Sequence, residues 1–231
     1  MVTDRPDQTE STVTVRPGNL QIEAGTVLGF SKGPNGLIKE LALPAALFRF
    51  GIGESFEIRL GRDYLIYDAG ENRSQVEGIS DLEIGFKWNI SSGKELDVAF
   101  IGNVITPTGT ESISLGQTGG GILLALARDI SESTGMGYNL GFTSYGEVGN
   151  ELFFSAAVGH SINEKAGFFI ELYGSYSEDI SIYGNTEEIF INGDFGLTYL
   201  ILDNFQLDFS LGTGFNHEMN FISAGFSWLI D

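Results

Sequence analysis

Charged and amide side chains recur at every second position along much of this chain, and they are the groups that could bind ions or polar molecules. Between residues 81 and 89, Asp, Glu, Gly, Lys and Asn alternate with Leu, Ile, Phe and Trp. Side chains two apart along an extended strand point to the same face. The pattern therefore places one set of acids and bases on a single face: Glu23, Glu40, Glu57, Arg59, Asp81, Glu83, Lys87, Asp97, Glu171, Asp194 and Asp208.

This polar face is suited to binding and conduction. Bases such as Arg59 and Lys87 among so many acids predict cross-strand ion pairs and a hydrated interior. One interpretation is a pore lining that favours cations, because a low-dielectric wall focuses the field of uncompensated acids. The other interpretation is that polar side chains and water simply fill the interior and have no selective role.

Two histidines, His160 and His217, are the candidates for a catalytic base of the hydrolase kind. Neither lies in a nucleophile elbow or a lipase-type pattern. The sequence has no cysteine, which excludes disulfides, thiolate zinc sites and cysteine catalysis. Two histidines among scattered acids also lack the spacing of a metal site. We therefore expect no enzymatic activity, no cofactor and no metal.

The elements that position the polar face are predicted to be about twelve long β-strands. The alternation is clearest over 78–90 and again over 205–215, and helical spacing explains neither segment. Strands in soluble sheets average about 5–6 residues, whereas a tilted strand needs roughly 9–11 residues to cross hydrocarbon. The predicted strands are longer than the soluble average and lie near 19–30, 37–51, 54–66, 78–90, 95–106, 118–130, 135–146, 150–161, 166–177, 187–201, 204–215 and 218–230.

The connections between these strands alternate in length. Short turns are predicted near residue 53 and at 91–94, 131–134, 163–165 and 202–204. Longer polar connections are predicted at 31–36, 67–77, 107–117 and 177–186, although two on the same side, 147–149 and 216–217, are short. Short turns on one side and longer loops on the other are typical of outer-membrane barrels, whose short turns face the periplasm.

The composition favours a membrane strand protein over a membrane helix protein. Hydrophobic residues make up 42% of the chain and the mean hydropathy is +0.06. No segment approaches the roughly 18 apolar residues of a transmembrane helix. Every backbone polar group in hydrocarbon must be paired within the protein, so the sheet must close. The fold expected over residues 19–231 is all-β: a closed antiparallel transmembrane β-barrel with up-and-down topology. A soluble sandwich or lipocalin-like barrel is the alternative.

The charge balance limits the partners. The chain has 12 basic and 31 acidic residues, for a formal charge of −19. Nucleic acids and anionic lipid surfaces both attract basic patches, so we expect neither as a partner. The expected partners are outer-membrane lipid, a small-molecule substrate and other envelope proteins.

Residues 1–18 precede the first predicted strand. This segment is polar from its start and lacks the basic and apolar regions of a secretory signal. We expect outer-membrane localisation, with a signal peptide already removed, and a periplasmic leader or plug formed by residues 1–18.

A family resemblance rests on this same region. Residues 3–11, Thr-Asp-Arg-Pro-Asp-Gln-Thr-Glu-Ser, are followed over residues 15–25 by a first strand with Gln21, Glu23 and Gly25. This element resembles the start of the outer-membrane transporter-like family named for the meta-pathway of phenol degradation. The resemblance implies a barrel related to fatty-acid and aromatic-hydrocarbon channels that passes small molecules, and it implies no phenol chemistry. By similarity, the candidate functional element is Asp4, Arg5, Pro6, Asp7, Thr9, Glu10 and Ser11.

Two functions remain open from the sequence. The first is a passive channel for small molecules, and the second is a non-transporting barrel that serves as a subunit of an outer-membrane assembly.

Overall fold

A computed structural model of the protein describes residues 1–33, 36–68, 75–93, 95–178 and 188–231. Nearly all of them after residue 19 lie in strands, which are rich in β-branched and aromatic residues. The strands are β1 (Leu20–Gly33), β2 (Gly36–Gly53), β3 (Phe56–Asp68), β4 (Val76–Ile79), β5 (Leu82–Ser92), β6 (Asp97–Thr106), β7 (Gly119–Ser131), β8 (Thr134–Ser144), β9 (Asn150–Ser161), β10 (Ala166–Glu178), β11 (Glu188–Leu202), β12 (Phe205–Gly214) and β13 (Met219–Ile230).

The sheet closes on itself. Strands that follow each other along the chain pair antiparallel, except β4 and β5, and β1 pairs with β13 from Leu20↔Ile230 to Ser31↔Met219. Because β4 and β5 both pair with β3, they are two parts of one barrel strand. Over the described residues the predicted closed, up-and-down antiparallel barrel of twelve strands is therefore confirmed.

The barrel strand predicted over 78–90 is interrupted, which corrects the prediction of one continuous strand. The break falls at Ser80 and Asp81, between β4 and β5. Both carboxylate oxygens of Asp81 accept backbone hydrogen bonds from the connection between β6 and β7, from Gly109 and Leu115 at 2.8 Å each. The backbone leaves the ladder here because Asp81 anchors that connection.

The short and longer connections lie at opposite ends of the barrel. The turns after β2, β7 and β11 have only two residues each, whereas β6 and β7 are joined by residues 107–118. A short 3₁₀ turn (Gly146–Val148) connects β8 to β9. Residues 34–35, 69–74, 94 and 179–187 lie outside the described residues, and they include parts of the predicted connections at 31–36, 67–77, 91–94 and 177–186.

Charged side chains are buried inside the barrel and large apolar side chains are exposed on its outside, which is the reverse of a soluble protein. The fully buried side chains include Glu23, Arg49, Glu57 and Lys87. Large apolar side chains point outward from every side of the barrel, as in Ile170, which is 59% exposed. Within the described ranges, no helix is long and apolar enough to cross a membrane.

Candidate functional site

The segment before β1 lies inside the barrel and contacts most of its wall. Residues 1–18, hereafter the N-terminal segment, hydrogen-bond to inward side chains of many strands. The wall residues that make these bonds are Gln21, Glu23, Arg49, Glu57, Arg59, Lys87, Asn89, Asn139, Ser155, Glu171, Gln206, Asp208 and Ser223. The geometry thus brings most of the polar strand face predicted from the sequence together with the element at residues 4–11.

Asp4 is the centre of the largest charge cluster. Its carboxylate accepts hydrogen bonds from Lys87 Nζ at 2.7 and 2.8 Å and from Arg59 Nη1 at 2.6 Å. Arg49 Nη1 lies 3.0 Å from Asp4 Oδ2. Burial alone would raise the pKa of Asp4, but these three cations outweigh burial and hold the pKa well below its ordinary value. Asp4 is therefore ionised, and it neutralises charge on β2, β3 and β5.

Arg49 links the wall carboxylates to one another. Its Nε lies 2.8 Å from Glu57 and its Nη1 lies 2.9 Å from Glu23. The same two carboxylates accept backbone N–H groups of the N-terminal segment. Glu23 accepts from Arg5 at 2.9 Å, and Glu57 accepts from Val15 at 2.7 Å. Charge-assisted bonds of this kind are stronger than neutral ones, so the wall holds the segment by its backbone as well as by its side chains.

Glu10 attaches the middle of the segment to two sides of the barrel. Its carboxylate accepts two hydrogen bonds from Arg59 Nη2, at 2.7 and 2.9 Å. On β8, Asn139 Oδ1 accepts the backbone N–H of Glu10 at 2.7 Å, and Asn139 Nδ2 donates to its carbonyl at 3.1 Å. Ser11 donates its N–H and O–H to Asp4 Oδ1. The segment therefore crosses the lumen at this level.

Arg5 reaches β12 and β13, next to β1, through a slot between two glycines. Gly25 and Gly225 face each other across β1 and β13, and a Cβ on either would collide with the guanidinium of Arg5. Arg5 Nη2 donates to Asp208 Oδ1 and to Ser223 Oγ, both at 3.0 Å. The missing side chains at the glycines make room for this ion pair. Pro6, the next residue, is buried.

Strands β9 and β10 bind the segment by accepting hydrogen bonds from its uncharged donors. The backbone N–H of Gln8 donates to Glu171 Oε2 at 2.8 Å. The hydroxyl of Thr9 contacts Ser155 Oγ at 2.7 Å and also donates to Glu171. Asp194 lies directly opposite Glu171 on β11, and Asp7 precedes Gln8. No cation pairs with Asp7, Glu171 or Asp194 in the described part of the chain.

The remaining predicted residues lie apart from this network. Glu83 faces the other half of the lumen and accepts a hydrogen bond from Asn103 Nδ2 at 2.9 Å. Asp97 lines a cavity beside the N-terminal segment. Asp81 anchors the connection after β6, as described above, and its two oxygens are occupied there.

Sequence reasoning missed Arg49, although it is fully buried in the cluster. The signal was present, since Arg49 stands between Phe48 and Phe50 in an apolar–charged–apolar alternation. A bulge between Ala42 and Ala45 shifts the pairing register of β2. Because a one-residue shift exchanges the two faces of a strand, the face of Arg49 could not be read from the start of its strand. Asn139 and Ser155 were also missed, because neutral polar residues carry little signal.

Two cavities flank the N-terminal segment. One, of about 210 Å³, lies towards the longer connections, and Arg59, Glu83, Asn103 and Glu151 line it together with Glu10. The other, of about 350 Å³, lies between the segment and the wall from β6 to β10. Glu10 lines both, so this residue separates the two spaces.

Each of the two histidines packs against an aromatic ring. His160 Nδ1 lies 2.9 Å from Thr134 Oγ1 on the neighbouring strand, and its ring packs on Phe168. His217 lies in the connection between β12 and β13 and packs against Phe190. Among the residues that the structure describes, no group of three or more histidines and acids could hold a metal ion.

Comparison with known proteins agrees with this geometry. A family model described as "Putative MetA-pathway of phenol degradation" matches residues 3–229. An outer membrane channel from Pseudomonas putida F1 has the same fold, with a TM-score of 0.70 at 9% identity over 95% of this chain and 98% of that chain. The NanC porin gives a TM-score of 0.59 at 12% identity over 89% and 98%. The KdgM porin in complex with disordered oligogalacturonate gives 0.58 at 10% over 90% and 98%. No curated protein sequence matches.

Proposed function

The chain belongs to the family of the MetA-pathway of phenol degradation, and from that premise we propose that it is an outer-membrane barrel and a passive channel for small molecules. The observation that carries this proposal is the inverted distribution of side chains. Charged residues such as Arg49 and Lys87 are fully buried in the lumen, and residues such as Ile170 and Leu140 are exposed on the outer wall. In water that wall would be a very large apolar surface, whereas in a bilayer it is the surface that faces lipid.

The closed ladder supports the same location. A sheet edge in hydrocarbon leaves backbone polar groups unpaired, at a cost of several kcal/mol for each group. Here β1 pairs with both β2 and β13, so the ladder closes around the barrel; among the described strands, β4 has a ladder partner only in β3. By the usual orientation of such barrels, the short turns and both chain ends face the periplasm. The N-terminal segment then occupies the periplasmic half of the lumen and acts as a plug.

The outer half of the lumen supports a preference for cations and neutral molecules over anions. Asp63, Glu83 and Glu151, hereafter the vestibule acids, lie on β3, β5 and β9, and Glu83 and Glu151 line the outer cavity. Arg59, which lines the cavity beside them, is already paired with Asp4 and Glu10. Uncompensated carboxylates inside a low-dielectric wall focus a negative potential, which attracts cations into the vestibule and repels anions.

The second candidate function is that of a closed subunit in an outer-membrane assembly. The observation that favours it is the anchoring of the N-terminal segment on two separate parts of the wall, by Arg59 of β3 and by Asn139 of β8. A segment held this way across the lumen could keep the barrel closed. The apolar wall or the connections between strands would then provide the interface to other envelope proteins.

Ion conductance distinguishes the two functions. We expect the purified, folded chain to conduct in planar lipid bilayers and, in a salt gradient, to show a reversal potential of the sign that cation preference requires. The same protein unfolded by heat is the matched control, and a mobility shift on unboiled gels verifies folding. Absence of current from folded protein between pH 5 and pH 9, together with stoichiometric partners in native membranes, contradicts the channel and favours the subunit.

A further inference from the structure

Three carboxyl groups meet where the N-terminal segment approaches β10 and β11. Glu171 and Asp194 are register partners on these neighbouring strands, and both face inward. Their carboxyl groups are within hydrogen-bonding range of each other. Asp7 directly precedes Gln8, whose backbone N–H donates to Glu171 Oε2 at 2.8 Å, and its carboxyl interacts electrostatically with both acids. Asp7, Glu171 and Asp194 are hereafter the carboxyl trio.

Asp194 lacks the donors that an ionised carboxylate needs. It is only 6% exposed, and neither of its oxygens accepts a hydrogen bond from the described residues. An ionised carboxylate left buried and unpaired is costly, and the usual outcome is that the group binds a proton. When two carboxyls share one site, a proton on either supplies the missing hydrogen bond and removes the repulsion. We therefore expect the Asp194 carboxyl to bind a proton or to share one with Glu171.

The charged surroundings of Asp7 are acidic. The groups that act on it most strongly are Glu171 of β10, Asp194 of β11 and Asp4 of the segment itself. Burial raises the pKa of Asp7 well above its ordinary value, and Glu171 raises it further. The neighbouring Arg5 is engaged by Asp208. Across the adjacent cavity the charged residues are Asp97 of β6 and Arg128 and Asp129 of β7.

The two sides of the segment are thus held by opposite kinds of contact. On the side of β2, β3 and β5, Asp4 and Glu10 are bound by Arg49, Arg59 and Lys87, and these pairs need ionised acids. On the side of β10 and β11 the acids face acids. We propose that protons shared within the carboxyl trio hold the N-terminal segment against β10 and β11, and that loss of these protons releases this side of the segment from the wall.

The direction of the pH effect follows from linkage. The carboxyl trio binds protons more tightly when the N-terminal segment is held against β10 and β11 (the seated state) than when the segment is released. The segment is therefore held most firmly at low pH, within the range where Asp4 stays ionised. As the pH rises, each ionisation at the trio costs more in the seated state than in the released state. The periplasmic half of the lumen therefore opens as the pH rises.

A nitroxide spin label on the N-terminal segment measures seating directly. The chain has no cysteine, so Gln8→Cys provides one labelling position, on an exposed side chain next to the trio. In the folded full chain we expect the label to be immobilised at pH 5 and mobile at pH 9. The double variant Asp7→Asn with Asp194→Asn carries permanently neutral amides, and its label should be equally immobile at both values. Asp97→Asn, which removes a carboxylate from the same cavity, is the matched control and should keep the wild-type response.

Three results overturn the proposal. They are equal label mobility at pH 5 and pH 9, a double variant that responds to pH as the parent does, and a label that is released at pH 5 by a chelator alone. The last result would mean that a metal ion, and not a proton, holds the trio. This inference rests on the proposed channel function only where it predicts that the lumen opens for transport as the pH rises. Label mobility needs no current, so a barrel that fails to conduct leaves the test intact, and a conducting barrel with a pH-independent label contradicts this inference alone.

Discussion

Lys87 of β5 donates hydrogen bonds to both carboxylate oxygens of Asp4, at 2.8 and 2.7 Å, although 83 positions separate the two residues in the chain. The register partner of Lys87 on β3 is Glu57, but Glu57 is bound by Arg49 and Arg59 instead. The charge of the barrel wall is therefore balanced by the segment that lies inside it. Without Asp4 and Glu10, the wall cluster would have three cations facing only Glu23 and Glu57.

Asp4→Asn should loosen the N-terminal segment and destabilise the barrel. Removing one partner of a buried ion pair leaves uncompensated charge and costs about 3–5 kcal/mol. We expect a lower urea midpoint and a mobile spin label at position 8. The matched control is Glu218→Gln, which breaks the ion pair of 2.6 Å with Lys32, where both side chains are mostly exposed. Exposed pairs contribute little to stability, so an equal loss in both variants would contradict the role of Asp4.

Acid should release the N-terminal segment from β2, β3 and β5, to which the ionised Asp4 binds it. The pKa of Asp4 in the folded barrel lies well below its ordinary value of 3.8. The stability that Asp4 contributes is therefore fully present above about pH 4 and is lost as the pH falls through the lowered pKa. Spin-label mobility between pH 2 and pH 5 measures this transition. Asp4→Asn should show no such transition, and a wild-type label that acid already releases above pH 5 would be inconsistent with this assignment.

Gly225→Ala should displace Arg5 from its pair with Asp208. A Cβ at this position would lie 2.5 Å from Arg5 Nη2 and 2.7 Å from the carbonyl oxygen of Ala24. The guanidinium must then leave the slot, so the start of the segment should exchange amide hydrogens faster. Gly159→Ala is the control, because a Cβ there meets nothing within 4 Å. Equal exchange rates in both variants would show that the slot does not hold Arg5.

Neutralising the vestibule acids should weaken the preference for cations. The double variant Glu83→Gln with Glu151→Gln removes two negative charges from the outer cavity, so the reversal potential in a salt gradient should move towards zero. Glutamine has nearly the same shape as glutamate, so the pore dimensions are kept. Asp203→Asn, in an exposed turn between β11 and β12, changes the net charge without touching the lumen and should leave the potential unchanged. If the reversal potential of that control shifted equally, the cation preference would not arise from Glu83 and Glu151.

The class of fold was predictable because it depends on a local property. Alternation with period two over 78–90 or 205–215 is visible in the order of residues alone, and the lengths of the strands indicate a membrane. The N-terminal resemblance, quoted on residues 3–11 and 15–25, is likewise confirmed by the family model that matches residues 3–229. The break at Ser80 and Asp81 was not predictable, since it depends on hydrogen bonds from Gly109 and Leu115, far along the chain.

Along an uninterrupted strand the sequence by itself determined which residues share a face, because side-chain direction follows the alternation, but the bulge in β2 hid the face of Arg49. Only the tertiary structure decided which charges meet in the lumen. Asp4 reaches Lys87, and Asp7 reaches Glu171 and Asp194, because the closed barrel surrounds the N-terminal segment and brings residues from strands on every side within a few ångströms. Ion pairs depend on distance in space, and closure of the barrel sets those distances.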